Sequence, residues 1–134
     1  MCFKEIYKIG GRKFGFQSVR PIACVPYARV LAAKKYNESC LDQTTPFVQL
    51  HNAELSKLLQ KLNSKLKGFR YSFSDYYTFL KERMDHPSIY GRYEYVFFDS
   101  AHPTEKAYQQ FAEQAWSAQP SLKGSYNLKE LLKF

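Results

Sequence analysis

Residues 95–116 read Tyr-Val-Phe-Phe-Asp-Ser-Ala-His-Pro-Thr-Glu-Lys-Ala-Tyr-Gln-Gln-Phe-Ala-Glu-Gln-Ala-Trp. The apolar start, Tyr95 to Phe98, has the makeup of a strand end, and Asp99 to Pro103 form a short loop. Behind it Ala107, Tyr108, Phe111, Ala112 and Ala115 or Trp116 recur at helical spacing, so a buried helix face is expected there. Pro103 can open that helix, because its missing N–H costs nothing in a first turn. Asp99 and His102 then stand three residues apart at the mouth of a helix that follows a strand. A hydrolytic site can use such an acid to orient and tune a base.

The rest of the chain repeats the alternation of strand and helix. Phe3, Ile6 and Tyr7 share one helical face, and Gly10-Gly11 ends it, as the last turns of a longer helix would end. Arg12 to Val19 alternates as a strand, and Pro21 to Pro26 is a loop at its carboxyl end. The glycines at 10, 11 and 15 precede and interrupt that strand, which excludes a phosphate loop. Tyr27 to Tyr36 reads as a short helix or loop, and Asn37 to Thr45 as polar loop. Thr45-Pro46 is a helix start, followed by a stripe at Val48, Leu55, Leu58, Leu59, Leu62 and Leu66 that stops before Gly68. Phe69 to Ser74 is a second strand, Asp75 to about Met84 a helix, and His86-Pro87 its stop; Tyr93 to Phe98 leads into the opening stretch. Asn127 caps a last turn holding Leu128, Leu131 and Leu132. Strands alternating with helices of this length predict parallel strands in an α/β layer architecture, in one domain spanning residues 1–134.

Composition narrows the function. Hydrophobic residues make up 45% and aromatics 17%, so the chain has the material for a packed core. It contains no run of eighteen apolar residues, and its first ten alternate charged and apolar, unlike a signal peptide; no membrane span is expected. The net charge of +8 belongs to the first half, with 13 Lys and Arg against 4 Asp and Glu in residues 1–70 and 7 against 8 thereafter. Lys57, Lys61 and Lys65 recur every four residues beside the apolar stripe, the pattern of a solvated helix face, so no nucleic-acid ligand is expected. His51 near that stripe reads as a packed or exposed helix residue, and His86 as punctuation. The cysteines Cys2, Cys24 and Cys40 fit neither zinc nor redox spacing. Cys24 and Cys40, sixteen apart, are either a disulfide of an extracellular protein, leaving Cys2 odd, or small buried thiols.

Three blocks carry a family resemblance: Gly10-Gly11-Arg12-Lys13-Phe14 running to Pro21-Ile22-Ala23-Cys24-Val25-Pro26; Leu50-His51-Asn52 to Asn63-Ser64-Lys65-Leu66; and Phe98-Asp99-Ser100-Ala101-His102-Pro103-Thr104-Glu105. With them the chain resembles the C-terminal portion of the plant-type GDSL esterase/lipases, members of the SGNH hydrolase superfamily. The resemblance implies a partial three-layer, flavodoxin-like α/β fold with a parallel sheet, truncated at its N-terminal side. It implies Asp99 and His102 as triad acid and base, an ester or lipid substrate, no cofactor or metal, and an extracellular location. In such enzymes the nucleophilic Ser lies in a Gly-Asp-Ser-Leu motif, and a Gly and an Asn from later loops complete the oxyanion hole; none of these blocks occurs in this chain. The family's Pro-Leu-Gly-Cys loop is here Pro21-Ile22-Ala23-Cys24, and a cysteine-bearing loop expected between Tyr90 and Tyr95 is reduced to little more than Gly91-Arg92.

The implied activity is serine ester hydrolysis, with this chain alone expected to be a weak or inactive esterase. The alternative is a non-catalytic modifier or binding protein, of the kind associated with plant glucosidases. A doubly wound sheet stripped of central strands would leave an unpaired border, so low solubility, self-association or a protein partner is expected.

Overall fold

Lys13–Gln17 (β1) and Arg70–Ser74 (β2) are short alternating segments bounded by turn formers, and they pair in parallel from Lys13 opposite Arg70 to Gln17 opposite Ser74. The computed structural model describes residues 2–37, 39–41, 43–90 and 96–133. Among the described residues the helices are, in chain order, Cys2–Lys8 (α1), Pro26–Tyr36 (α2), Thr45–Lys65 (α3), Tyr76–Asp85 (α4), Glu105–Ser117 (α5) and Leu128–Leu132 (α6), with a 3-10 turn at Ile22–Cys24. The crossover from β1 to β2 runs through α2 and α3, as parallel pairing requires. The expected parallel α/β arrangement is therefore present.

Side-chain alternation gives the sheet two unlike faces. Phe14 and Phe16 stand beside Tyr71 and Phe73 in register, and this aromatic face packs on Leu59 and Leu62 of α3, Tyr7 of α1 and Phe69. Gly15 and Ser72 share the other face. A Cβ at Gly15 would lie 3.7 Å from Leu128 Cδ2, so the small pair lets α6 settle directly on the backbone. Tyr126 extends the far side of β2 by one bridge to Ser72, its N–H donating to the Tyr71 carbonyl at 2.9 Å. Among the described residues nothing pairs with the outer edge of β1. A second cluster, Tyr76, Phe79 and Leu80 of α4 with Phe111 of α5 and Val96, buttresses the carboxyl end of β2.

Several expectations shift in the structure. Residues 93–95 of the predicted third strand lie outside the described residues, and beyond them only Phe97 forms a bridge, antiparallel to Pro103. The cause is local: the Thr104 N–H donates to the Val96 carbonyl and the Phe98 N–H to that of His102, closing the segment on itself. Helix α5 is capped by the Thr104 side chain, which accepts from Ala107 N–H, so Pro103 sits one residue outside rather than opening it. Of its predicted buried face only Ala107 is buried; Tyr108, Ala112 and Trp116 are exposed. Thr45 is the first helical residue of α3 and Thr44 takes the cap position. Leu58 of the predicted stripe is exposed. The ambiguous Tyr27–Tyr36 stretch is helical, closed by Asn37 in a left-handed conformation.

Of the two fates open to Cys24 and Cys40, the structure has the disulfide, with Cα atoms 4.7 Å apart. It ties the 3-10 turn to the loop after α2, and beside it the Leu41 N–H donates to the Ala23 carbonyl at 2.9 Å. Closing a loop of this size contributes about 3 kcal/mol by restricting the unfolded chain. Cys40→Ser is therefore expected to lower the unfolding free energy by about that amount. Denaturant melts with and without reductant check this: reduction should destabilise the wild type and leave the variant unchanged.

Candidate active site

The loop that carries Asp99 and His102 is built around one carboxylate. Asp99 Oδ1 accepts the backbone N–H groups of Ala101 and His102, both at 2.7 Å, the short-range bonding that makes aspartate a turn former. Its other oxygen, Oδ2, lies 2.8 Å from His102 Nδ1. The His102 and Ala101 N–H groups, with the His102 ring third, hold the Asp99 carboxyl well below the usual range, at about 2. At neutral pH Asp99 is therefore a carboxylate that can only accept, so Nδ1 carries the proton and a neutral His102 presents its lone pair at Nε2. Among the described residues Nε2 has no hydrogen-bond partner, and the His102 side chain is 67% exposed.

The depressed value fixes the sign of a pH effect. A carboxylate whose folded pKa lies below its unfolded one adds stability that is fully present above the unfolded value, near 3.9 for aspartate. That contribution is lost as pH falls from there toward about 2. Carbon-detected NMR of the Asp99 carboxyl should accordingly find its midpoint near pH 2. An ordinary aspartate midpoint would mean that the turn is not closed in solution.

Two elements hold the loop over the strand ends. The first turn of α2 reaches it through the Tyr27 N–H, which donates to the Ser100 carbonyl at 2.9 Å, and the segment after β1 through Arg20 Nη1, which donates to the Ala101 carbonyl at 2.9 Å. That segment is itself clamped by Asn52 of α3, which accepts from the Val19 N–H at 2.8 Å and donates to its carbonyl at 3.0 Å. Ser18 links the two strand ends: its hydroxyl donates to Asp75 Oδ1 at 3.1 Å and accepts from the Tyr77 N–H at 2.9 Å. Asp75 in turn caps α4 through the Thr78 N–H.

The predicted pair is thus in contact, and the other candidates separate from it. Ser18 is buried at 2% exposure with its hydroxyl committed, so it has no role as a nucleophile. Ser100 lies between acid and base but meets its surroundings through its carbonyl. His51 is exposed on α3, and His86 ends α4. Arg20 and the clamping role of Asn52 escaped sequence reasoning. The signal available for Arg20 was a lone cation directly between a strand end and Pro21. Among the described residues no group of His, Cys, Asp and Glu side chains could hold a metal ion, and no helix is long and apolar enough to cross a membrane.

Comparison with known proteins places the chain. Arabidopsis thaliana GDSL esterase/lipase 4 is 36% identical over 97% of this chain, and GDSL esterase/lipase 1 of the same plant is 37% identical over 98%. This chain spans 44% of the length of each. The Arabidopsis protein named inactive GDSL esterase/lipase-like protein 25 is 30% identical over 96% of the chain, which spans 37% of its length. No solved structure matches. The family model for GDSL-like lipase/acylhydrolases matches residues 3–115, and the chain belongs to that family.

Proposed function

We propose that this chain supplies the acid and base of a GDSL-type serine ester hydrolase. The observation that carries the reading is the 2.8 Å contact between Asp99 Oδ2 and His102 Nδ1, with Nε2 unpartnered among the described residues. In the reaction His102 Nε2 takes the proton of a serine hydroxyl as its oxygen attacks the ester carbonyl. The imidazolium then returns the proton to the departing alcohol, and water repeats the cycle to release the carboxylic acid. Asp99 keeps the ring in the right tautomer and stabilises its cationic form. The nucleophile and the oxyanion donors would come from the Gly-Asp-Ser-Leu block and the later Gly and Asn loops of such enzymes, none of which occurs in these 134 residues. One positioned proton-transfer group is worth about 10²- to 10⁴-fold on its own, so the chain by itself should be a weak esterase or none. An extracellular location fits the Cys24–Cys40 disulfide.

The test is hydrolysis of a short-chain nitrophenyl ester by the purified chain and by His102→Ala. A measurable rate that the substitution removes supports the reading; equal rates rule out catalysis by this chain alone. A second reading, a non-catalytic binding or modifier protein, is favoured by the similarity to a relative named inactive. Under it the chain would hold a stable protein partner from plant extract at moderate salt.

A further inference from the structure

Asn37-Glu38-Ser39 stands directly before Cys40, one half of the disulfide. An asparagine followed two residues on by a hydroxyl, with no proline between them, is the acceptor sequence for N-linked glycans. Three residues match by chance often enough that the fold has to supply the rest of the case.

The chain has four asparagines, at positions 37, 52, 63 and 127, and the structure separates them. Asn52 spends both ends of its amide on the Val19 backbone. Asn127 accepts from the Glu130 N–H and donates to the Ala118 carbonyl. Asn63 has its serine one position too early, at Ser64. Asn37 is exposed, and among the described residues its side-chain amide has no partner. Ser39 is exposed too, and its hydroxyl is equally unengaged.

A helix end explains only part of this. Asn37 closes α2 at a φ of 55°, its N–H donating to the Ala32 carbonyl, and asparagine tolerates that left-handed geometry better than most residues. The backbone role uses neither the amide of Asn37 nor the hydroxyl of Ser39, and glycine would fill it without strain. The compartment agrees as well: the oxidising lumen in which structural disulfides form is the one that proteins bearing N-linked glycans pass through. The position is also free of conflict with the acid–base pair. The first turn of α2 holds the Asp99 loop through the Tyr27 N–H, whereas Asn37 follows its last turn. Eleven helical residues at about 1.5 Å each put about 16 Å between those two ends.

We propose that Asn37 is an N-glycosylation site. Asn37 Nδ2 attacks C1 of the first sugar of an oligosaccharide carried on a polyprenyl diphosphate. The N–C1 bond forms, the C1–O bond breaks, the diphosphate leaves with the electron pair, and Nδ2 gives up one proton to a base of the transferase. The site rests on the extracellular location put forward above, and the assay separates the two by delivering the chain to the lumen itself.

The chain is translated behind an added cleavable signal peptide with endoplasmic-reticulum microsomes, and only the protease-protected, signal-cleaved product is scored. That product should carry one upward band shift that peptide N-glycosidase removes, leaving an aspartate where Asn37 stood, read by mass spectrometry. Asn37→Gln and Ser39→Ala should each abolish the shift, and Ser39→Thr should retain it. The glycan is added as the chain enters, so the result does not depend on how well any variant folds. A protected product with no shift would overturn the proposal. So would a shift that survives Asn37→Gln or Ser39→Ala, or one lost in Ser39→Thr. The native chain found only in the cytosol would count against the extracellular location and leave the acceptor site standing.

Discussion

In a chimera joining the N-terminal portion of Arabidopsis GDSL esterase/lipase 1 to this chain, Asp99→Asn is expected to lower kcat on a short-chain nitrophenyl ester by about 10⁴-fold, with KM little changed. The size follows from how much of the loop depends on this one carboxylate. Oδ1 takes two backbone N–H groups and Oδ2 the imidazole. An amide has one oxygen, so if it keeps the turn it presents its NH₂ to Nδ1. The ring must then accept at Nδ1 and carry its proton on Nε2, where the serine proton has to go. The charge that would stabilise the imidazolium is also gone. Steady-state kinetics on the chimera and its variant measure the ratio. A loss below about tenfold would mean that Asp99 shapes the turn without serving the base.

Phe79→Ala should destabilise the chain by about 3–5 kcal/mol, the cost typical of truncating a fully buried phenylalanine. The ring is 2% exposed and lies 5.2 Å from that of Phe111, with the Arg83 guanidinium 3.5 Å over its face. Removing it opens a cavity where α4 meets α5, and strands the aliphatic and cationic parts of Arg83 that rest on it. Phe98→Ala is the control: with the side chain 83% exposed, its cost should stay within about 0.5 kcal/mol. Urea melts of the two variants would contradict this account if their midpoints fell together.

What could be read from the sequence was what depends on neighbours in the chain. The strands at β1 and β2, the caps at Asp75 and Asn127 and the Asp99–His102 pair each rest on spacings of two to four residues. What escaped depends on distant partners. Arg20 acquires its role only because the fold brings it to Ala101, 81 residues away, and Asn52 only because α3 passes Val19. The apolar side of α5 looked like a buried face because helical periodicity records which side is greasy and carries no information on whether anything covers it. The segment before Asp99 looked like a strand for a similar reason: Val96, Phe97 and Phe98 have the composition, but their hydrogen bonds go to Thr104 and His102 nearby.

The two kinds of contact around the Asp99 turn also differ in when they can form. Its internal bonds span two or three residues and close on the timescale of local turns. The bonds that seat it, from Arg20 and from the Tyr27 N–H to Ser100, each close a loop of more than seventy residues. They wait on the parallel pairing of β1 with β2, a slow, non-local step. A refolding chain therefore acquires its acid–base couple early and its address late. Partial unfolding should reverse that order, releasing the loop from the strand ends while aspartate and histidine stay joined.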